Sequence, residues 1–439
     1  MNDERKKKTV KAIDRKEAKT DAAKRPETDL TKRPETSGAK NKPVRKSDDG
    51  EIRTYRLDRF NGSVDNVFFI LVIILLCVGS VMVLSASYYV ANSKFGDSFY
   101  FARRQLLWAV GSIVILLLAA RIIDYRWLRG KLSYIILFAA IGLCVLVLIP
   151  TGISHTANNA TRWIDLGLIS FQPSEILKLA VVLVCATYMS NRKSTMHKFG
   201  VGIVIPLLFM LGCCLLLAAQ PHVSGAIIIA IIVVSMMFMG GVRIPYFAAT
   251  VAALGAGAYG VFNIVKNQEW FKNKFHHVLI RLEVWHDPFN KEYFANEGWQ
   301  PAQSLLAISS GGFWGVGLGR SIQKHGYLPE PQNDYIFSIV CEELGFFGAI
   351  IILALFVLLI IRGFKIASKA PDTFSSLVVY GIVIKLAVQV GLNILVVTNT
   401  IPSTGISLPF FSYGGTSLLL QMAEMGIVLA ISKYSYQEK

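Results

Sequence analysis

The chain has 439 residues, 53% of them hydrophobic and only 17% charged, with 45 Lys and Arg against 29 Asp and Glu for a formal net charge of +16. Several nearly uncharged apolar runs of about 18 residues or more argue against a set of soluble domains and point to a polytopic membrane protein. No nucleic-acid partner is expected.

Residues 1–65 differ in composition from the rest, with few apolar residues, many Lys and Arg, and a short repeat, KRPETDL at 24–30 and KRPETSG at 32–38. This pattern predicts a disordered basic arm. Beside a membrane span, such an arm suits anionic lipid or a cytoplasmic partner. The first apolar run is too long for a signal-peptide core and reads as an anchor. Ten helical spans follow, near 66–91, 104–122, 132–150, 174–190, 200–219, 223–240, 246–265, 336–361, 377–398 and 414–432. The expected fold is therefore all-α, a ten-helix domain over 66–433 with a short tail at 434–439. Lys and Arg concentrate in alternate short loops: Arg121, Arg126, Arg129 and Lys131; Arg192, Lys193 and Lys198; Arg243; then Arg362, Lys365 and Lys369. The positive-inside rule makes that side cytoplasmic, and an even span count puts both termini there. One large loop, about 266–335 between the seventh and eighth spans, is then extracytoplasmic. All six cysteines fall within predicted spans without a CxxC pair, and His276, His277 and His286 lack a recurrent metal spacing. No metal site is expected from them.

Polar residues are costly in hydrocarbon, so their positions carry information, and four clusters lie at or near the external side. The first, NNATRWIDLGLISFQPSEILKL at 158–179, runs as a loop through Arg162 and Trp163 and enters the fourth span at Pro173. Pro followed by Ser174 and Glu175 is a good helix start, and Glu175 and Lys178 are neighbours on one helix face. The second, AAQPHVSGA at 218–226, is a tight turn whose His222 has no partner legible in the sequence. The third includes RLEVWHDPF at 281–289 and the glycine-rich GWQPAQSLLAISSGGFWGVGLGRSIQKHGYLPEPQND at 298–334. Arg320 and Lys324 there precede Glu330 and Asp334. Exposed glycine amides can hold phosphate, but the Walker spacing is absent. The fourth, NTIPSTGISLPFFSYGGTSLL at 399–419, carries two prolines and Gly405, Gly414 and Gly415 before the last span. Irregular backbone at membrane depth implies a protein-lined or wet cavity.

In PEPQNDYIFSIVCEELG (329–345), an advance of about 100° per residue places Glu343 opposite Asp334 and Glu342 about 80° away. The three acids then cannot form one cluster. Glu342 and Glu343 are expected to be paired or neutral inside the bundle, and Asp334 alone to face water at its lip. An Asp there also suits a helix N-cap, the structural alternative.

Together these clusters resemble the SEDS family (shape, elongation, division and sporulation), over about 158–419, with span spacing that agrees back to residue 66. SIQK before YLPE and the segment RLEVWHDPF look closer to its FtsW and SpoVE branch than to RodA. The resemblance implies a peptidoglycan glycosyltransferase that polymerises lipid II at the outer face of the bacterial cytoplasmic membrane, at a division or sporulation septum. It implies a class B penicillin-binding transpeptidase, divisome or sporulation proteins and membrane lipids as partners. The family's PExxxDFIF motif matches PEPQNDYIF and carries its essential aspartate onto Asp334. Its loop tryptophan falls on Trp163, and its glutamate and lysine after QPS fall on Glu175 and Lys178. On this reading Asp334 is the general base. Arg162, Trp163, Lys324, Glu330, Ser412, Gly414 and Gly415 bind substrate, while Glu175, Lys178 and Glu343 support the cavity. The sequence does not choose between Arg162, Lys324 and a divalent cation, Mg or Mn, for neutralising pyrophosphate, and points to no other cofactor. Two departures stand out: Gln220 to Gly225 reads QPHVSG where QPDxGT is commoner, and PSTG replaces PTxG around Pro402. A lipid II flippase or transporter, and a noncatalytic scaffold for a transpeptidase, are the rival readings.

Overall fold

The computed structural model describes residues 63–149, 154–157, 160–165, 170–220, 222–265, 268 and 276–434, together with Arg45–Lys46 and Ile52–Arg53. Those last two pairs, β1 and β2, are antiparallel partners. The remainder of the predicted basic arm, and residues 435–439 of the predicted tail, lie outside the described residues.

Among the described residues eight helices are long and apolar enough to cross a membrane. They are α1 (Asn66–Phe95), α2 (Tyr100–Ile122), α3 (Lys131–Leu148), α4 (Pro173–Asn191), α5 (Gly200–Ala219), α10 (Ile336–Ser368), α11 (Thr373–Val397) and α12 (Gly415–Ser432). Two further apolar helices, α6 (Val223–Met239) and α7 (Ile244–Val265), stand where the sixth and seventh spans are predicted. In the long loop lie α8 (His276–His286) and α9 (Trp299–Gly311). The local causes of these elements are readable. Asp65 caps α1 by accepting from the Phe68 amide, Gly96 ends it at φ 69°, and Asp372 and Ser375 form a reciprocal capping box on α11.

Helices α4, α11 and α12 have 72%, 61% and 67% of their spans buried, against 28–44% for the other five spans, so they form the centre of the bundle. The outer faces carry large exposed apolar side chains such as Leu106, Leu107 and Phe138, which suit lipid rather than water. The Lys- and Arg-rich loops meet at one end of the bundle. There Arg362 donates to both carboxylate oxygens of Asp65 at 2.9 Å, Tyr125 to Asp372 at 2.8 Å, and Arg129 to Asn191 at 2.9 Å.

The fold is not purely helical. Ser154–Ala157 (β3), Ala160–Asp165 (β4) and Ser170–Phe171 (β5) form a three-stranded antiparallel sheet in chain order, where sequence predicts loop. Pairing shifts from His155–Trp163 to Thr156–Thr161, so Arg162 is an extra, bulged residue of β4. A bulge re-aims its side chain.

Helix α10 is broken at Gly345, φ 69° and ψ −174°. The glycine-rich loop after α9 fills the break. Val316 and Gly317 amides donate to the carbonyls of Glu342 and Glu343 at 3.0 Å, while Phe346 and Phe347 amides donate to Gly312 and Phe313 at 3.0 and 3.1 Å. The loop thus satisfies helix groups freed at membrane depth. This structural duty accounts for the glycines: a Cβ on Gly345 or Gly315 would enter the other strand's backbone. Gly345→Ala is expected to lower stability by about 1–3 kcal/mol through the left-handed φ alone, with the collision adding to it. An unaltered melting temperature in detergent would contradict this account.

Candidate active site

Asp334 lies two residues before α10, at the end opposite the basic loops. Its backbone is held from two elements. Asn393 of α11 donates at 2.7 Å to both the Asp334 and Ile406 carbonyls. Ser412 donates to the Asn333 carbonyl at 2.9 Å and accepts from the Leu408 amide at 2.7 Å, and the Tyr413 amide donates to Gln332 at 2.8 Å. The irregular 398–414 segment is therefore the clamp under Asp334. Gly405, φ 68°, sits where a Cβ would come within 3.3 Å of Asp334 Oδ2.

The Asp334 side chain is half-buried and has no hydrogen bond or ion pair among the described residues. Burial raises its pKa to about 6, Glu330 adds to the rise, and Arg162 and Arg281 oppose it. Arg281 of α8 opens the RLEVWHDPF segment, but the sequence pattern gives it no site role. Its Nη1 donates to the Ser403 carbonyl at 3.1 Å, tying α8 to the clamp. Trp285 and Asn399 strengthen that tie, each side chain donating to the other's carbonyl at 3.1 Å. Arg162 reaches the α5–α6 turn, where Nε donates to the Gln220 carbonyl at 3.4 Å. Trp163 is half-buried beside it. Its neighbour Ile164 is buried, so strand alternation turns Trp163 to the opposite face of β4. Glu330 is exposed at φ 45°, accepts from Asn333 at 2.9 Å and lies 3.9 Å from Lys94.

A small pocket adjoins the clamp, with Glu175, Gln389, Ser407, Ser412, Ser417 and Gln421 among its walls. Glu175 and Lys178 pair at 2.6 Å as the helix spacing implies. The pair extends further: Lys385 of α11 lies 3.7 Å from Glu175 and 2.6 Å from Glu424 of α12. Two acids and two lysines thus neutralise one another where the three central helices meet. Gly414 and Gly415 begin α12, and a Cβ on Gly415 would strike the Trp108 ring. Its closeness to α2 gives Gly415 a packing role at this end of the bundle, whereas Gly414 lies against Ser417 of its own helix.

Lys324 departs from its expected place. It is 3% exposed, and its Nζ lies 2.7 Å from Glu343 Oε1 and 3.1 Å from Ser85 Oγ. Such a cation is committed to a buried partner rather than to an incoming pyrophosphate. Glu343 is paired as expected, whereas Glu342 is satisfied by neutral donors, the Ser321 hydroxyl and the Ile322 amide. Among the described residues no group of three or more His, Cys, Asp or Glu side chains is placed to hold a metal ion. One carboxylate flanked by guanidinium groups is also a poor donor set for a divalent cation. The positive charge that this chain offers near Asp334 comes from Arg162 and Arg281.

The chain is similar to known proteins over most of its length. The model of the FtsW/RodA/SpoVE family, described as cell cycle protein, matches residues 65–437. Stage V sporulation protein E of Bacillus subtilis is 40% identical over 374 residues, covering 85% of this chain and 98% of that protein. A probable peptidoglycan glycosyltransferase FtsW of Nitrosomonas europaea is 36% identical, covering 82% and 90%. Among solved structures, one from a peptidoglycan synthase complex that coordinates polymerization and crosslinking aligns with a TM-score of 0.67 at 26% identity, covering 85% of this chain and 99% of that one. Rod shape determining protein RodA of Thermus thermophilus shares the fold, with a TM-score of 0.60 at 24% identity and coverage of 85% and 98%. By these matches, and by the helical membrane bundle they share, the chain belongs to the FtsW/RodA/SpoVE family.

Proposed function

We propose that this protein is a peptidoglycan glycosyltransferase that polymerises lipid II into glycan strands, with Asp334 as its general base. The observation that carries this reading is the unpaired, half-buried Asp334 carboxylate, with Arg162 and Arg281 near enough to act on its charge. Lipid II presents a disaccharide on a polyprenyl pyrophosphate. A sugar hydroxyl attacks the anomeric carbon as the bond from that carbon to the pyrophosphate oxygen breaks, and the hydroxyl proton passes to Asp334. A base within hydrogen-bond reach contributes about 10²–10⁴-fold. The departing pyrophosphate is a weak base, so it needs charge stabilisation rather than a proton, and Arg162 and Arg281 supply it. A single displacement inverts the α-linked donor to a β-linked glycan.

The reading carries a topology: ten spans, both termini cytoplasmic, and the Asp334 end facing outward. The grouping of basic loops at the opposite end supports it. It also carries a partner and a place. The partner is a class B penicillin-binding transpeptidase, which the likeness to a peptidoglycan synthase complex supports, and the place, with divisome or sporulation proteins, is the septum.

Purified protein in detergent, supplied with lipid II, is expected to yield glycan chains. Translocation of lipid II in vesicles with no chains would replace this reading with a flippase, for which the buried Glu175–Lys178–Lys385–Glu424 cluster is the suggestive feature. The reaction also has an expected pH dependence. The base works only when ionised, and its pKa is raised to about 6. Turnover should therefore be level at higher pH and fall as pH drops through about 6. A rate still level near pH 4.5 would exclude Asp334 as the titrating base.

A further inference from the structure

His222 occupies the turn between α5 and α6, where the commoner family sequence has aspartate. It is only 6% exposed. Its backbone is fully used, the amide donating to Leu217 at 3.0 Å and the carbonyl accepting from Ala226 at 3.2 Å. The imidazole lies against the first turn of α6. A Cβ on Gly225 would fall 2.7 Å from both Nδ1 and Cε1, so glycine is what gives the ring its place. Nδ1 is buried without a hydrogen-bond partner, and no described protein group bonds Nε2. Nδ1 is turned toward the first turn of α6, so Nε2 is the ring nitrogen left open to a ligand.

Its charged surroundings are those of the site. Burial lowers the ring's pKa to about 3, the Lys178 and Arg162 charges add to the fall, and Glu175 opposes it. Arg162 acts on His222 and on Asp334 alike. Glu175 belongs to the wall of the cavity that Ser412 also lines. His222 is thus a neutral imidazole, one donor and one acceptor, at the arginine shared with the proposed base. A cationic ring would suit pyrophosphate. A neutral one suits a group that both donates and accepts.

We infer that His222 is a substrate-binding residue that holds an uncharged hydroxyl or acetamido group of the lipid-linked saccharide through Nε2 of its imidazole. The inference rests on the glycosyltransferase reading. Its test is saturation kinetics with lipid II on the full-length protein in detergent, for wild type, His222→Gln and His222→Asn, with melting temperatures alongside. The glutamine amide reaches about as far as Nε2, whereas the asparagine amide reaches only as far as Nδ1. His222→Gln is expected to keep KM within about threefold, and His222→Asn to raise it about tenfold, the worth of one hydrogen bond. Both should keep kcat and the single pH step near 6 assigned to Asp334. Equal losses of melting temperature with unchanged KM in both variants would show that the ring only packs, and would overturn the inference. Wild-type protein that makes no glycan would sink the glycosyltransferase reading instead. Lipid II dissociation constants for the same three proteins then decide the His222 question: an unweakened His222→Asn overturns it, and a tenfold weakening spared in His222→Gln sustains it.

Discussion

Asp334→Asn is expected to reduce lipid II polymerisation by about 10²–10⁴-fold, the usual contribution of a positioned general base, while leaving the fold intact. Asparagine keeps the size and shape of the side chain and removes only its capacity to take a proton. The surrounding structure should not register the change, because the clamp grips main chain. Asn393 binds the Asp334 carbonyl and Ser412 the Asn333 carbonyl. The structural alternative, an Asp that caps α10, is not met. The cap residue is Tyr335, and no side chain accepts a hydrogen bond from the first turn. Loss of the carboxylate also relieves its repulsion with Glu330, so the melting temperature should hold or rise slightly. Glycan synthesis per unit time, measured beside a thermal melt, separates the cases. Near-normal synthesis would end Asp334's role as base, and a collapsed melting temperature would return it to a structural role.

The spans were legible because a bilayer demands about 20 apolar residues per crossing whatever the tertiary structure, and the described helices fall close to the predicted ranges. Interruptions were less legible. The stretch around Arg162 lacks the alternation that announces strands, so β3, β4 and β5 and the bulge at Arg162 emerge only from pairing across the hairpin. The run from Tyr335 to Arg362 reads as one continuous helix, yet Gly345 breaks it. The helix starts only at Ile336, which invalidates counting helical angles from Asp334. Glu342 and Glu343 both meet donors on the glycine-rich loop, although they are adjacent on the helix. The wrong environment for Lys324 has the same origin. Its closeness to Asp334 in sequence suggested a shared site, whereas the loop carries it to Ser85 of α1. Arg281 and Asn393, about 50 to 60 residues from Asp334 on either side, act on it only through the tertiary fold.

Lys324 and Glu343 provide the second large effect, on stability rather than chemistry. Glu343 accepts from Ser85 at 2.7 and 2.6 Å, from Lys324 at 2.7 Å and from the Ser321 amide at 3.4 Å. One carboxylate thereby joins α1, the glycine-rich loop and α10, just before the break at Gly345. Both charges are almost wholly buried, at 3% and 0% side-chain exposure. Removing one partner strands the other's charge in low dielectric, which costs about 3–5 kcal/mol, whereas removing both costs far less. Lys324→Met and Glu343→Gln should therefore each lower the melting temperature sharply. The double variant should recover much of the loss, with a coupling of about 1–3 kcal/mol. If Lys324 instead served the leaving pyrophosphate, Lys324→Met would abolish polymerisation at an unchanged melting temperature, and adding Glu343→Gln would restore nothing. The two outcomes differ in both readouts, because a buried ion pair is lost from the fold and a phosphate ligand is lost from the reaction.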